Sequence, residues 1–320
     1  MAGRTDFHRK NWIQRLVNAG DVASFGSKNP ALKMPNHEIQ RLPSLSEFRI
    51  RWPVLISIIA IHLLAIPVFW IYNLSSIFTF LFLWFATGCW GITVGYHRMI
   101  SHRSFSAPAW IRAFHMFWAS ISLQQGPISW ARQHRAHHKY SDTMADPHPQ
   151  KFGFWFGHIG WTFLAHQYLG RSPERKEIPA DLARDPVLIF FEKYHLHFFF
   201  ASLIVLYWTG GLPMLIWGGA FRVVWVLHIT WAINSVVHRW GYRNFETNDT
   251  SVNNIPMALL AWGEGWHNNH HRYPFSAREG ILFWEIDFSW LWIRSLEKLG
   301  LINDVRVQSK LQDSEDSKQK

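Results

Sequence analysis

Two long apolar runs separated by only two residues dominate the first third of the chain. PVLISIIAIHLLAIPVFWIY, Pro53 to Tyr72, and SSIFTFLFLWFATGCWGITVGY, Ser75 to Tyr96, each supply the roughly 20 apolar residues that cross a bilayer as a helix. With only Asn73 and Leu74 between them, they predict an antiparallel hairpin. A second pair lies near Tyr194 to Trp208 and Leu212 to Val237, joined by the uncharged turn Thr209, Gly210, Gly211. Its first member is short unless it takes in part of the preceding VLIFF. Arg222 interrupts its second member, either as a functional group in the membrane or as a snorkelling or internally paired cation. The pattern predicts an all-α integral membrane protein with four transmembrane helices in two hairpins, about 53–72, 75–96, 194–208 and 212–237. A helical cap is expected from 97–193 and 238–302. Residues 1–52 read as a polar, basic arm with a short amphipathic piece around Trp12 to Val17, 53–302 as the main domain, and 303–320 as a polar tail. Trp110 to Leu123 is too short and interrupted for a span and reads as an interfacial or half-buried helix.

Charge orients these elements. Both hairpin turns lack Lys and Arg, whereas the N-terminal arm, the segment from His97 to Arg184 and the chain after His238 are rich in them. The positive-inside rule therefore places both termini and both large polar segments in the cytosol. Composition agrees: aromatic residues make up 17% with 20 Trp, and charged residues only 17%, against about 25% in soluble domains. The mean hydropathy of -0.06 keeps a large part of the chain outside the lipid. A net charge of +10 suits a surface beside anionic lipid, and with these apolar runs it does not call for nucleic acid. The single Cys89 excludes an intramolecular disulfide, and the N-terminus has no apolar stretch of the signal-peptide kind.

The polar segments carry the chemistry. HRAHH places His134, His137 and His138 at i, i+3 and i+4, a spacing that puts them on one helix face and lets three imidazoles converge on one point. Taken alone, that segment also reads as a solvated basic helix. HNNHH repeats the spacing with His267, His270 and His271, while HRMISH places His97 and His102 at the end of the second apolar run. Residues five apart lie about 140° apart on an ideal α-helix, so this last pair shares a ligand only if the helix ends or bends between them. His238 and Asn234 stand one helical turn apart at the cytosolic end of the fourth run. All nine histidines fall on the side assigned to the cytosol. They are too many for one ion and suit two ions with four or five nitrogens each, Asn234 binding directly or through water. HExxH is absent, a closed structural zinc site needs four ligands, and two redox-active irons match the ligand number better.

The boxes HRMISH, HRAHH and HNNHH, with the surrounding GYHR, WARQHRAHH, DPH, NSVVHRWGYR and GEGWHNNHH, resemble those of the membrane-bound fatty acid desaturases. The resemblance runs from about Trp52 to Trp292 and is to the Δ9, stearoyl-CoA desaturase-like branch. QQGPISW and YPFSAREG are similar to its bacterial and cyanobacterial members. It implies a non-haem centre of two iron ions with dioxygen as co-substrate, held by His97, His102, His134, His137, His138, His238, His267, His270 and His271, with Asn234 acting through a water. It also implies a bent acyl tunnel with Gln124, Trp130, Thr230 and Trp231 around its kink, and insertion of a cis double bond at Δ9.

Asp146 and His148 of DPH are candidates for an outer shell around the metal, as are Asp142 and Glu264, which read equally as solvated carboxylates. Gln133 replaces the aspartate that helps hold the CoA head group in animal acyl-CoA enzymes, so the substrate expectation is an acyl-CoA or an acyl-lipid. No HPGG-like haem motif is present, which points to electrons from a separate ferredoxin or cytochrome b5-type donor. Arg132, Arg135, Lys139 and Arg239 are candidates to receive it, or form a solvated or lipid-facing surface. Two other readings remain: a di-iron membrane hydroxylase, and a metal transporter. A transporter needs ligands along the spans, where only His62 and His228 stand, both suited to hydrogen-bonded packing.

Overall fold

The computed structural model describes residues 47–166 and 178–308, so the expected amphipathic piece at Trp12 to Val17 and the end of the tail lie outside the described residues. Helix dominates. Among the described residues, three stretches are long and apolar enough to cross a membrane: Trp52–Phe69, Leu74–Ser101 and Pro186–Ser235.

Helix α1, Trp52–Ala65, begins with Pro53 in its first turn, where the missing amide costs nothing, and continues as a 3-10 turn, Ile66–Phe69. Most of its apolar side chains face outwards, as in a helix that is apolar all round and meets lipid. Asn73 then starts α2, Leu74–Phe85, through a reciprocal cap: the Ser76 amide donates to Asn73 Oδ1 at 2.8 Å and the Asn73 amide to Ser76 Oγ at 3.0 Å. The chain continues without a break into a π-helical segment, Ala86–Ser101, whose residues are buried apart from Trp90. Gly91 permits the close approach of α3, Ala109–Ser120, since a Cβ there would lie 2.6 Å from the Ala119 nitrogen. The helix expected over Trp110 to Leu123 is thus present and half-buried, and it runs back along the second apolar stretch.

Helix α4, Pro127–Tyr140, carries HRAHH. Helix α5, Pro186–Met214, opens at Asp185, whose side chain accepts from the amides of Val187 and Leu188. It takes in VLIFF and so gains length over the expected start at Tyr194. Its backbone breaks at Gly210 and at Gly211, where φ is +66°. Beyond the break, a π-helical turn, Leu215–Phe221, leads into α6, Arg222–Ser235. Ideal Cβ atoms on Gly218 and Gly219 would meet Leu206 at 2.9 Å and Leu203 at 3.0 Å, so the two halves lie side by side. The cap's shorter helices include α7, Ile255–Leu260, α8, His267–Arg272, and α9, Phe288–Lys298.

A two-residue strand β1, Arg49–Ile50, pairs antiparallel with β2, Leu164–Ala165, and ties the start of α1 to the cap. The main core joins Ile92, Tyr96 and Ile100 to Ile111 and Met116 of α3, Ile128 and Ala131 of α4, and Ile293 and Leu296 of α9. The cap is therefore welded to the second apolar stretch, where the histidine boxes meet.

Arg222 is fully buried and does not snorkel. His62 and His228 bond to each other through Nε2 at 3.0 Å, and His228 Nδ1 lies 3.0 Å from His158 Nε2, which accounts for all three as packed, hydrogen-bonded groups. His115 and His195 likewise bond to the carbonyls of Trp90 and Glu192.

Candidate metal centre

The π-helical winding brings the first box together. The His102 amide bonds to the His97 carbonyl at 3.1 Å, and residues five apart then share one side of the chain. The other boxes sit on α4 and α8, and each divides its imidazoles. His134 and His138 join His97, His102 and His270 in one cluster, whereas His137 joins His238, His267 and His271 in a second. This differs from convergence of a whole box on one point. The i+3 and i+4 members lie about 100° apart around the helix axis, enough for a helix between two sites to serve both.

Within the first cluster, the Nε2 atoms form a chain: His102 to His134 at 2.8 Å, His134 to His138 at 3.0 Å, His138 to His270 at 2.8 Å and His270 to His97 at 3.0 Å. A ring nitrogen has one proton or one lone pair in its plane, so His134, His138 and His270 cannot each hydrogen-bond to two neighbours. The spacing suits lone pairs converging on a cation. With bonds of about 2.1 Å, ligands at right angles around a metal lie about 3.0 Å apart, against about 3.4 Å for tetrahedral ones. In the second cluster, His238 Nε2 and His267 Nε2 are 3.1 Å apart. Here His137 Nε2 and His271 Nε2 are buried without a hydrogen-bond partner. Both clusters therefore fit metal ions by their donor chemistry.

Carboxylates hold the outer nitrogens. His137 Nδ1 meets Asp146 at 3.0 Å, His271 Nδ1 meets Asp249 at 2.6 Å, and His238 Nδ1 lies 3.7 Å from Asp142. On the other side, His97 Nδ1 meets Glu264 at 2.5 Å, while Glu279 lies 3.5 Å from His97 and 3.4 Å from His270. Buried Arg98 anchors this second pair. Its guanidinium contacts Glu264 at 3.3 Å and Glu279 at 3.2 Å and grips both oxygens of Asp287 at 2.8 and 3.0 Å. His148 packs against His137 with the rings tilted by 38° and their centroids 4.3 Å apart, and its amide donates to Asp146.

A cavity adjoins both clusters. His97 and His134 of the first and His137 and His267 of the second line it, together with the apolar side chains of Trp84, Ile92, Val226, Ile229 and Trp262. Trp130, Thr230 and Asn234 belong to the same lining. Gln124 reaches it through Thr230, donating to Oγ1 at 2.9 Å. Trp231 lies elsewhere, in an apolar cluster with Phe199, Val223 and Leu227.

Comparison with known proteins agrees with this geometry. The fatty acid desaturase family model matches residues 74–298. The chain belongs to the fatty acid desaturase family. It is 39% identical over 269 residues to an sn-1 stearoyl-lipid 9-desaturase of Anabaena variabilis, covering 82% of this chain and 97% of the relative. It is 38% identical over 255 residues to a chloroplastic palmitoyl-monogalactosyldiacylglycerol delta-7 desaturase of Arabidopsis thaliana, covering 80% and 68%. An acyl-CoA 5-desaturase of Anemone leveillei shares 40% identity over 251 residues, 78% of each chain.

This desaturase, an oxidoreductase of lipid metabolism, keeps its cap histidines ready for metal. Burial and the neighbouring imidazoles hold His102, His134, His138, His267 and His270 well below the usual histidine range, hence neutral. Burial pushes Asp146 the other way, but the imidazoles of His137 and His148 outweigh it and hold the carboxyl at about 2. Sequence reasoning missed Arg98, Asp249, Glu279 and Asp287. Their signal is faint: Glu279 sits in YPFSAREG, eight residues after the last box, and Asp249 in a polar loop. Of the basic candidates for a donor surface, Arg132 is buried and Arg135 is engaged with Asp181 and the Ile100 and Ser101 carbonyls. Lys139 and Arg239 are exposed.

Proposed function

We propose that this protein is an acyl-lipid desaturase that inserts a cis double bond, at Δ9, into a saturated chain of a glycerolipid. The observation that carries the reading is the cavity whose lining joins imidazoles of both metal clusters to an apolar wall. The relatives named as lipid 9-desaturases support the position and the lipid-linked substrate, and the near-complete coverage of the Anabaena protein adds weight. The reaction consumes one dioxygen, two electrons and two protons and forms two waters. We assign the electrons to a separate ferredoxin or cytochrome b5-type carrier.

The nine histidines are the residues to hold two iron ions, with Asn234 beside them in the cavity lining. When bound, the irons supply the oxidising chemistry needed at an unactivated methylene pair, which side-chain acids and bases lack. The protein contributes position. Asp146, Asp249 and Glu264 fix imidazole orientation from outside, and the Glu279 carboxyl lies beside His97 and His270. Trp84, Ile92, Val226, Ile229 and Trp262 present an apolar channel that excludes water and limits which carbons approach. Gln124 and Thr230 place a polar bond beside that channel.

The desaturase is read as crossing the membrane four times, with both termini and the metal centre in the cytosol. The break at Gly210 and Gly211 and the packing of Leu203 and Leu206 on the following turn support dividing the long third stretch into two. The charge asymmetry of the loops supports the orientation.

Expression in a desaturase-deficient host tests the reading. Glycerolipids should gain monounsaturated chains lighter by two hydrogens than their precursors. Chains heavier by one oxygen would identify a hydroxylase, and unsaturation confined to the thioester pool would identify an acyl-CoA enzyme.

A further inference from the structure

The turn between α3 and α4, Ile121 to Gly126, sits among the apolar stretches, buried except for half-buried Leu123 and the exposed Gln125 side chain, and Leu123 packs on the cluster of Phe199, Val223, Leu227 and Trp231. Irregular backbone in such a place must find its hydrogen-bond partners within the protein. Here the apolar stretches supply them. The Tyr96 hydroxyl donates to the Gln125 carbonyl at 3.1 Å. Arg222 Nη1 donates to the Ile121 carbonyl at 2.5 Å, and its Nε to the Gly218 carbonyl at 2.9 Å. Glu192 accepts from the amides of Ile128 at 2.8 Å and Ser129 at 3.2 Å and from the Ser129 hydroxyl at 2.5 Å.

Arg222 and Glu192 are both buried, and neither forms an ion pair among the described residues. Each instead meets a helix end of the sign it needs. Arg222 sits at the carboxyl end of α3, whose cap is Ile121, and Glu192 at the amino end of α4, each opposing the local helix dipole. The fit at α4 is tight: a Cβ on Gly126 would run into the Glu192 carboxylate and lie 2.9 Å from its Cα. Leu123 and Gln125 meanwhile hold positive φ values of 61° and 72°, a conformation that side chains rarely adopt unaided. The clamped segment leads straight to the chemistry. Gln124 bonds to Thr230 in the cavity lining, and Trp130, one turn into α4, stacks on His134 with centroids 5.0 Å apart.

We infer that Arg222 and Glu192 are positioning residues: they clamp the Gln124 turn and the start of α4, and thereby fix which carbon pair of the acyl chain faces the metal centre. This rests on the desaturase function proposed above. The test compares purified, full-length wild type with R222M, E192A and E192Q, scoring double-bond position per bound iron by mass spectrometry. E192A and R222M should raise minor positional isomers about tenfold, the scale of one lost charge-assisted hydrogen bond. E192Q keeps a carbonyl acceptor for the Ile128 and Ser129 amides and should restore the wild-type position. Iron-loaded variants that turn over slowly with an unchanged isomer ratio would overturn the inference. If R222M fails to fold, the E192A and E192Q pair decides. Hydrogen exchange separates this inference from the functional reading: the Ile128 and Ser129 amides should exchange about tenfold faster in E192A than in wild type or E192Q, with α6 unchanged. Equal exchange in all three removes the clamp, whereas a wild type that makes no unsaturated product removes only the functional reading.

Discussion

The His97 carbonyl accepts from the His102 amide at 3.1 Å, and the two imidazole centroids lie 4.8 Å apart. A π-helical segment thus delivers two imidazoles to one cluster from positions that an α-helix would turn away from each other. Helices α4 and α8 do the reverse, each splitting three histidines between two clusters.

That division predicts separable sites. His134→Ala should weaken the first site and His137→Ala the second, each lowering iron from about two to about one per chain while abolishing desaturation. Elemental analysis of the purified variants, alongside lipid products, checks both parts.

The outer carboxylates should matter almost as much as the ligands. Asp146→Asn and Asp249→Asn remove the anions that hold His137 and His271 through Nδ1. Each should weaken iron binding by about 10- to 100-fold. Competition with a ferrous chelator measures the loss.

Gly263 adopts φ +119° beside the Arg98 and Asp287 pair, and a Cβ there would collide with the Asp287 carboxylate. Gly263→Ala should cost about 1–3 kcal/mol through strain and overpacking and loosen the Arg98 anchor of Glu264 and Glu279. Thermal unfolding in detergent and iron content should fall together.

Gly88 faces Trp262 across the cavity wall, where an added Cβ would lie 2.7 Å from the indole nitrogen. Gly88→Val should therefore narrow the channel and reduce kcat/KM for saturated acyl chains about tenfold, the scale of losing room for one or two methylenes. Iron binding should remain unchanged.

Much of the helical architecture was legible because bilayer-length apolar runs and the Asn73 and Gly210–Gly211 breaks are local signals. The histidine boxes were legible for the same reason. Their allocation was not: spacing places His134, His137 and His138 on one face, but only packing shows that His137 turns to a second cluster. The link between His97 and His102 depends on π-helical winding, which no residue in HRMISH announces. Glu279, Asp249 and Asp287 come from loops without periodicity and meet their partners only in three dimensions. Glu192 was hidden among apolar neighbours, and Arg222 could not be assigned before Ile121 and its carbonyl were placed.

The most direct test of the central claim is an anaerobic titration of the metal-free protein with ferrous iron. Binding should saturate at two irons per chain in wild type and at about one in His137→Ala. Saturation at a single iron in wild type, or two irons still bound when His267 and His270 are both changed to Ala, would contradict the account.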